Sequence, residues 1–598
     1  MKRYLYDIET NALLDEVTTI WCVVIQDLDT REVWKYRPDE IKEALVKLSE
    51  ADYISGHNII AYDNRVLKKL YNWVPRPEVI IFDTLVACRT IWPHINECDV
   101  TFRAQLKRKG FTMPSYLFTN PHSLKSWSYR ISGGDPSRSK FHYDDWSKFT
   151  EEMLVYCIQD VSVNCDLWDY ITKKNFSERA LALEMKAHYW FLKMEEIGMP
   201  FDVQAASDLY STLEETRLDI RDRLVAVVPP TVVVMKTKTK QIPFNPGSRK
   251  QIATFLIDNG WKPTKFTKGK DGVVSDNPTV DEETLEEAAE ILGESIPEVK
   301  LLFEYLILSK RIGQLATGKQ AWLKMERDGI IHGRTNHMGC VTSRVSHKYP
   351  NMGQVPATKY DENKQPLPYW GPEYRRMFYA PSGYALVGAD ASGLELRCLG
   401  HYMGFYDGGA YAKIVVEGDV HTTNQQAAGL ATRNNAKTFI YGFLYGAGDE
   451  KIGSIVGKDA KEGKRLKAKF LKGLPALGKL RDGVTLKAKT TKKLRMLDDR
   501  YTPIRAAHSS LNTLLQGCGA IICKTWLVLI CEEIERRGLD ASVRLFIHDE
   551  VQIIVREDQA EEVAQITKYK MKEVEKLFNL KCPLDSDFKI GKNWSETH

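Results

Sequence analysis

No run of eighteen consecutive apolar residues occurs in this 598-residue sequence, so it offers no obvious membrane span. Its start, MKRYLYDIET, lacks the apolar stretch of a secretory leader. The 11 cysteines are scattered and never form a C-x-x-C pair. That pattern argues against a disulfide framework or a structural zinc site. It fits a reducing, cytoplasmic setting in which thiols serve as small core residues. No internal repeat or low-complexity tract interrupts the chain. Net charge is small, +5, but unevenly spread: residues 451–500 hold 16 Lys and Arg against 5 Asp and Glu. A local surplus of this kind suits a polyanion, although by itself it suits a solvated lysine-rich surface equally well.

The length suggests about three or four domains, and the composition is ordinary for a soluble globular protein. YLYDIE and TIWCVVIQDL read as neighbouring strands and ADYISGHN as another strand leading into a loop, with mixed α/β character to about Tyr170. A helix is expected from Ser177 to Gly198 and a second over 203–225. TVVVMKTKTKQIPFNPGSR reads as an extended basic loop or ribbon. The apolar period over 298–329 predicts one long helix, and strand-like pieces return at 330–400 and 541–556.

Asp7 and Glu9 stand two apart on a predicted strand, so both side chains take one face. Alone, a D-x-E is usually a pair of surface acids. Two later segments add to it: GHNIIAYD ends in Asp63, and YCIQD sets Tyr156 and Asp160 four apart on one helix face. Four hard oxygen donors and a phenol suit two Mg²⁺ ions and a positioned water, the layout of two-metal phosphodiester hydrolysis. The order D-x-E, N-x-x-x-Y-D, Y-x-x-x-D resembles the three motifs of proofreading 3′→5′ exonucleases on an RNase H-like fold.

A second group of acids lies later. LVGADASGLELRC presents Asp390 after an apolar run, and FIHDEVQIIV presents His548, Asp549 and Glu550 at a hairpin tip. Asp390 and Asp549 are the expected metal ligands. Between them, Arg433, Lys437, Tyr441 and Tyr445 recur at every fourth position, forming one ridge of a helix. An ordinary amphipathic helix has that periodicity too. The ridge also has the chemical order of a nucleoside triphosphate: cations for the phosphates, then phenols for sugar and base.

These segments, R-x-x-x-K-x-x-x-Y-x-x-x-Y-G, D-A-S-G-L-E-L-R and H-D-E, resemble motifs B, A and C of family A DNA polymerases, the class of bacterial DNA polymerase I. The likeness is strongest to the replicative polymerases of short-tailed bacteriophages. YDIETNALL, DTLV, FNPGSR, KRIGQ, TSRVSHKYPNMGQVP, GDVHTTNQ and LNTLLQGCGAIICK extend it along nearly the whole chain. The resemblance implies an α/β multidomain protein, an RNase H-like 3′→5′ exonuclease followed by a right-hand polymerase. The exonuclease would occupy 1–175 and a helical thumb 176–335, with a short basic insertion near 225–245. The palm would occupy 336–410 and 516–598, with fingers at 411–515.

The resemblance also assigns roles. Asp390 and Asp549, with the Ala391 carbonyl and Glu550 as auxiliary, would hold two Mg²⁺ ions, Mn²⁺ being an alternative. Asp7, Glu9, Asp63 and Asp160 would hold two more, beside Tyr156. His421, Arg433 and Lys437 would neutralise the triphosphate, and Lys437 would protonate the leaving pyrophosphate. Tyr441 and Glu395 resemble the pair that excludes a ribose 2′-hydroxyl, and tyrosine rather than phenylalanine at 441 implies easy acceptance of dideoxynucleotides. Tyr445 would fill the template-base position until the fingers close. Arg344, Gln516 and His548 match residues that touch the primer–template minor groove, where acceptors look alike in every correct pair. Lys310, Arg311 and the lysines of 236–240 would hold backbone phosphates.

The implied partners are primer–template DNA and deoxynucleoside triphosphates, with a phage helicase-primase and single-strand-binding protein as companions. The implied setting is a monomer in the host cytoplasm. Host thioredoxin is not expected, because phage relatives that recruit it carry a long thumb insertion and the stretch from Leu224 to Phe244 is short. A single-subunit RNA polymerase is the nearest rival, opposed by Glu395 and by the N-terminal exonuclease motifs. A nuclease or DNA-binding module with a degenerate polymerase half is opposed by the intact set Asp390, Arg433, Lys437 and Asp549.

Overall fold

A computed structural model of the protein describes all residues except 136–142, 235–238, 270–272, 357 and 359–368. The chain divides into two compact units. The first comprises Met1–Ile197, Arg334–His347 and Val387–Ile590, and the second Gly198–Gly333, Lys348–Leu386 and Gly591–His598.

The first unit begins with a five-stranded sheet built from β1 (Arg3–Thr10), β2 (Ile20–Asp27), β3 (Val33–Tyr36), β4 (Tyr53–Gly56) and β5 (Ile80–Asp83), in the order β3-β2-β1-β4-β5. The β1–β2 and β2–β3 pairs are antiparallel, whereas β1–β4 and β4–β5 are parallel. Alternation along β1 sorts its side chains to two cores. Tyr4, Tyr6 and Ile8 join Val23 and Ile25 on one face, and Leu5 joins Cys22 and Val24 on the other. The second face is covered by a helix, Glu151–Thr172, through Met153, Leu154, Cys157 and Val161. Each such fully buried aliphatic side chain contributes roughly 1.5–3 kcal/mol. Period two therefore aims Asp7 and Glu9 at that helix. We label α1 Asp63–Tyr71, α2 Glu151–Thr172 and α3 Glu178–Ile197. Thr150 starts α2 by accepting the Met153 amide on its hydroxyl.

A four-stranded sheet follows, built from β6 (Tyr384–Ala391), β7 (Ala541–Ile547), β8 (Glu550–Arg556) and β9 (Ser586–Gly591), in the order β7-β8-β6-β9. Ile547 pairs with Glu550, so His548 and Asp549 alone make the β7–β8 turn. His548 takes φ +59° there, a left-handed conformation costly for a residue with a Cβ. The further helices that matter are α4 (Leu394–Asp407), α5 (Arg433–Leu444), α6 (Ser510–Arg537) and α7 (Ala560–Leu577). By length and composition α6 is apolar enough to cross a membrane, but 83% of its most apolar window is buried inside the protein. It is a core helix.

The second unit is mainly helical: Val203–Val227 packs against Pro297–Ile312, which packs against Glu282–Leu292. The expected continuous helix over 298–329 is broken. Pro297–Ile312 passes into a π turn, Gly313–Thr317, and ends at Gly318, whose backbone is extended. A Cβ at Gly318 would lie 2.4 Å from the Gly313 carbonyl oxygen, so only glycine permits this close. A short helix then covers Trp322–Met325. The basic ribbon is a hairpin in which Thr231–Val234 pairs with Thr239–Ile242. Lys236 and Lys238 lie outside the described residues, and Lys240 stands on the second strand.

Candidate functional site

Two groups of carboxylates form in the first unit. In the early one, ligand atoms of Asp7, Glu9 and Cys157 all lie within 4.8 Å of one another, a metal-sized group. The Cys157 Sγ is 3.6 Å from the Asp7 carbonyl oxygen and 3.9 Å from its Oδ2, and burial pushes the thiol pKa well up. Asp63 opens α1, and its Oδ1 accepts the Ile8 amide of β1 at 3.3 Å. Burial, and then the carboxylate of Asp83, push Asp63 up to about 7. Asp160 is buried on α2, one turn beyond Cys157. Tyr156 packs its ring 5.9 Å from Tyr143 and 5.8 Å from Trp146. Asp83 belongs to the framework: its side chain accepts the amides of Asn58, Ile60, Leu85 and Val86, joining the Asp63 loop to the next helix.

The late group stands at strand ends. Asp390 is the penultimate residue of β6, and the Ala391 amide donates to the Asp549 carbonyl at 3.0 Å, tying the strand end to the hairpin tip. Desolvation, then Asp549, Glu550 and Asp587, push Asp390 up to about 7. Burial also raises Asp549, against the pull of His548 and Arg344. Glu550 is buried and accepts the Gln552 side-chain amide at 2.6 Å. Asp587, on β9, accepts the Ser392 hydroxyl at 2.6 Å. Both groups present the hard oxygen donors that divalent cations require, and a cation relieves the desolvation and mutual repulsion that raise Asp390 and Asp63.

The cationic ridge forms as the period implies. Thr432 caps α5 through the Asn435 amide, which fixes the phase of the helix. Ala436, Phe439, Ile440, Phe443 and Leu444 turn inward, where Phe439 and Phe443 meet Phe470 at 5.1 and 5.2 Å. Arg433 and Lys437 are exposed on the opposite side, and Arg433 pairs with Asp419 at 2.9 Å. Asp419 caps the helix that begins at Val420 and so places His421 beside the ridge; burial, then Arg433 and Lys437, lower the His421 pKa. Tyr441 and Tyr445 stack with centroids 6.4 Å apart and planes at 26°. The Tyr445 hydroxyl bonds Glu395, and the Arg344 guanidinium reaches the same carboxylate at 3.4 Å.

Arg344, Glu395, His548 and Asp549, with Leu515 and Gly519 of α6, line a cavity of about 50 Å³. Gln516 is half-buried on α6. In the second unit Lys310 is exposed and paired with Glu282 at 2.6 Å. Arg311 departs from expectation: it is buried, its Nε donates to the Tyr369 carbonyl at 3.2 Å, and its own carbonyl accepts the Tyr374 hydroxyl. Burial and the bond from Nε to a framework carbonyl set this side chain apart from an exposed phosphate ligand.

The model of the family described as DNA polymerase family A matches residues 225–596. The chain belongs to DNA polymerase family A. It is 34% identical to the DNA-directed DNA polymerases of Enterobacteria phage T3 and Escherichia phage T7, over 99% of this chain and of each relative. Those alignments run over 721 positions against 598 residues here, so the phage relatives carry inserted segments this chain lacks. The thermostable DNA polymerase I of Thermus aquaticus is 27% identical over 59% of this chain and 42% of its own length. Among solved structures, the fold matches the POL domain of Pol1 from M. smegmatis, in complex with DNA primer-template and dNTP. That match has a TM-score of 0.73 and 18% identity, covering 99% of this chain and 96% of the other.

Sequence reasoning missed Asp587 and Cys157. Asp587 sits in DSDFKIG, whose alternation marks a strand. Cys157 directly follows the singled-out Tyr156, three positions from Asp160, a helical spacing that would have flagged it.

Proposed function

We propose that this family A chain is a DNA-directed DNA polymerase with a separate 3′→5′ proofreading exonuclease, each working at a pair of divalent cations. The arrangement that carries the reading is the meeting of Asp390 with the Asp549 turn beside the stacked Tyr441 and Tyr445 of the cationic helix. Under this reading 1–175 is the RNase H-like exonuclease, and thumb, palm and fingers follow with the boundaries given above.

Asp390, Asp549 and the Ala391 carbonyl would hold the polymerase cations, with Mg²⁺ the fitting ion. When bound, such ions acidify the primer 3′-hydroxyl and neutralise the triphosphate. The chain's own residues do the remaining work. Arg433, Lys437 and His421 grip the triphosphate, and Lys437 is placed to donate a proton to the leaving pyrophosphate. A deoxyribose lies against Tyr441 and Glu395, where a 2′-hydroxyl meets the Glu395 carboxylate already engaged by Arg344 and Tyr445. Tyr445 is half-exposed and caps α5, so a small change at Gly446 (φ +77°) can move it when a templating base arrives. Asp7, Glu9, Asp63 and Asp160 would hold the exonuclease cations, and Tyr156, braced by Tyr143 and Trp146, would orient the attacking water. The short 231–242 hairpin supports a polymerase that works without thioredoxin.

The test is single-nucleotide incorporation on a primed DNA template with deoxy- and ribonucleotides. The reading expects strong preference for deoxynucleotides and loss of that preference in Glu395→Ala. Preference for ribonucleotides in the unaltered protein contradicts it.

A further inference from the structure

At the wall of the polymerase cavity, which Lys524 and Ser343 help to line, begins a set of charges almost fully removed from water: Glu184 on α3, Lys524 on α6, and Asp498 and Arg500 on the approach to α6. The set is balanced, two acids against two bases. Lys524 Nζ donates to both Glu184 oxygens at 2.8 Å and to the His337 carbonyl at 2.6 Å. The Arg500 guanidinium holds Asp498 through Nε and NH2, and its NH1 donates to Glu184 at 2.7 Å and to the Ser343 hydroxyl at 2.9 Å. Burial alone would raise the Glu184 pKa, but Lys524 and Arg500 overcome it and hold the carboxylate ionised. His337, pushed down to about 4 chiefly by burial, stays neutral and adds its Nδ1 at 3.0 Å from Glu184.

Two of these bonds grip one short turn. His337 opens it and Ser343 closes it, just before Arg344. Inside the turn the Gly339 amide donates to the Arg344 carbonyl at 2.9 Å, and the Ser343 amide to the Cys340 carbonyl at 3.0 Å. Ser343 is buried at φ +64°, a conformation a serine keeps only when its surroundings impose it. Arg344, the next residue, reaches Glu395 and the cavity. Charges buried this deeply are costly, and a structural core could use apolar side chains there instead.

We infer that Lys524, Glu184 and Arg500 are positioning residues for Arg344: they clamp both ends of its turn and thereby set how sharply the enzyme rejects a mispaired primer end. The inference rests on the reading of Arg344 as a minor-groove sensor. The clamp acts through the turn that carries Arg344: Lys524 Nζ is spent on Glu184 and the His337 carbonyl, and Arg500 holds Ser343. Its effect is to hold the guanidinium where a correctly shaped base pair meets it and a distorted one does not.

The experiment uses the full chain with its exonuclease silenced by Asp7→Ala and Glu9→Ala, and measures kcat/KM for extending matched and mismatched primer ends. Lys524→Met is combined with Glu184→Gln, which removes one charge of each sign and strands neither. Ser343→Ala is a milder second variant that keeps the test open if the double change prevents folding. Either variant is expected to lower the matched-over-mismatched ratio about fivefold or more, the scale of a lost hydrogen bond. Neither should lower it further once Arg344→Ala is present, because residues acting through one group are not additive. If Arg344→Ala leaves the ratio unchanged, the minor-groove reading of Arg344 fails and takes the inference with it. If Arg344→Ala lowers the ratio but the clamp variants do not, or lower it equally in both backgrounds, the clamp is a packing feature and the inference is overturned.

Discussion

The early and late carboxylate groups differ in how far the fold encloses them. Asp63 and Asp160 are buried, and Asp7 and Glu9 face a helix that seals the sheet. Asp390 instead stands at a strand end, opposite a two-residue turn, open to solvent on one side while its carboxyl is partly desolvated among Asp549, Glu550 and Asp587. Their electrostatics differ accordingly. Asp63 is raised by desolvation and by a neighbour, Asp83, that four backbone amides hold in place as framework. Asp390 is raised by desolvation and by three carboxylates of the site itself. The first group is a pocket whose charge problem is fixed by the core. The second is more open, and its charge problem is set by carboxylates of the group itself.

Substitutions can sharpen or break this contrast. Lys437→Ala is expected to lower the rate of nucleotide incorporation by about a hundredfold or more, the range for loss of a general acid, while 3′→5′ degradation is unchanged. Pre-steady-state incorporation and degradation of single-stranded DNA measure the two. An equal fall in both would mean that the sites are not independent. Arg433→Ala is expected to act mainly on binding, raising KM for the incoming nucleotide about tenfold with a smaller change in kcat.

The pH dependence of stability follows from the raised carboxyls. In Asp63 and Asp390 the folded pKa, about 7, lies above the ordinary 3.8, so between these values the folded chain keeps protons the unfolded chain has released. Stability from this source is present at low pH and is lost as pH rises towards about 7. Melting in a chelator should show that loss, and added Mg²⁺ should reverse it near neutrality. Asp549→Asn should shrink the part due to Asp390 and leave the part due to Asp63. A chelated protein whose stability does not fall over this window would contradict the assignment of both groups. The smallest effect belongs to Asp419→Asn: its pair with Arg433 is solvent-exposed, so melting should not change, while freeing Arg433 lowers KM for nucleotide slightly.

Much of the site could be read from the chain because it depends on local periods. Two-residue alternation placed Asp7 and Glu9 on one face, and a four-residue step placed Arg433, Lys437 and Tyr441 on one ridge. The hairpin tip at His548 and Asp549 followed from the apolar strands on either side. What escaped depends on contacts distant in sequence. The apolar period runs unbroken through Gly313 and Gly318, so nothing in it marks the close backbone approach that ends the helix. Arg311 sits among basic residues as a phosphate ligand would, and only Tyr369, 58 positions away, reveals it as framework. Glu184 reads as one more polar position on a helix until Lys524, 340 positions later, is found bonded to it.

The most direct test crosses the two groups. Extension of a primed template and degradation of single-stranded DNA are measured for Asp549→Ala and for Asp7→Ala combined with Glu9→Ala, each checked for an unchanged melting transition. The account predicts that the first change abolishes extension and spares degradation, and that the second does the reverse. Loss of both activities from either change, in a protein that still folds, would contradict the claim of two separate metal-binding sites.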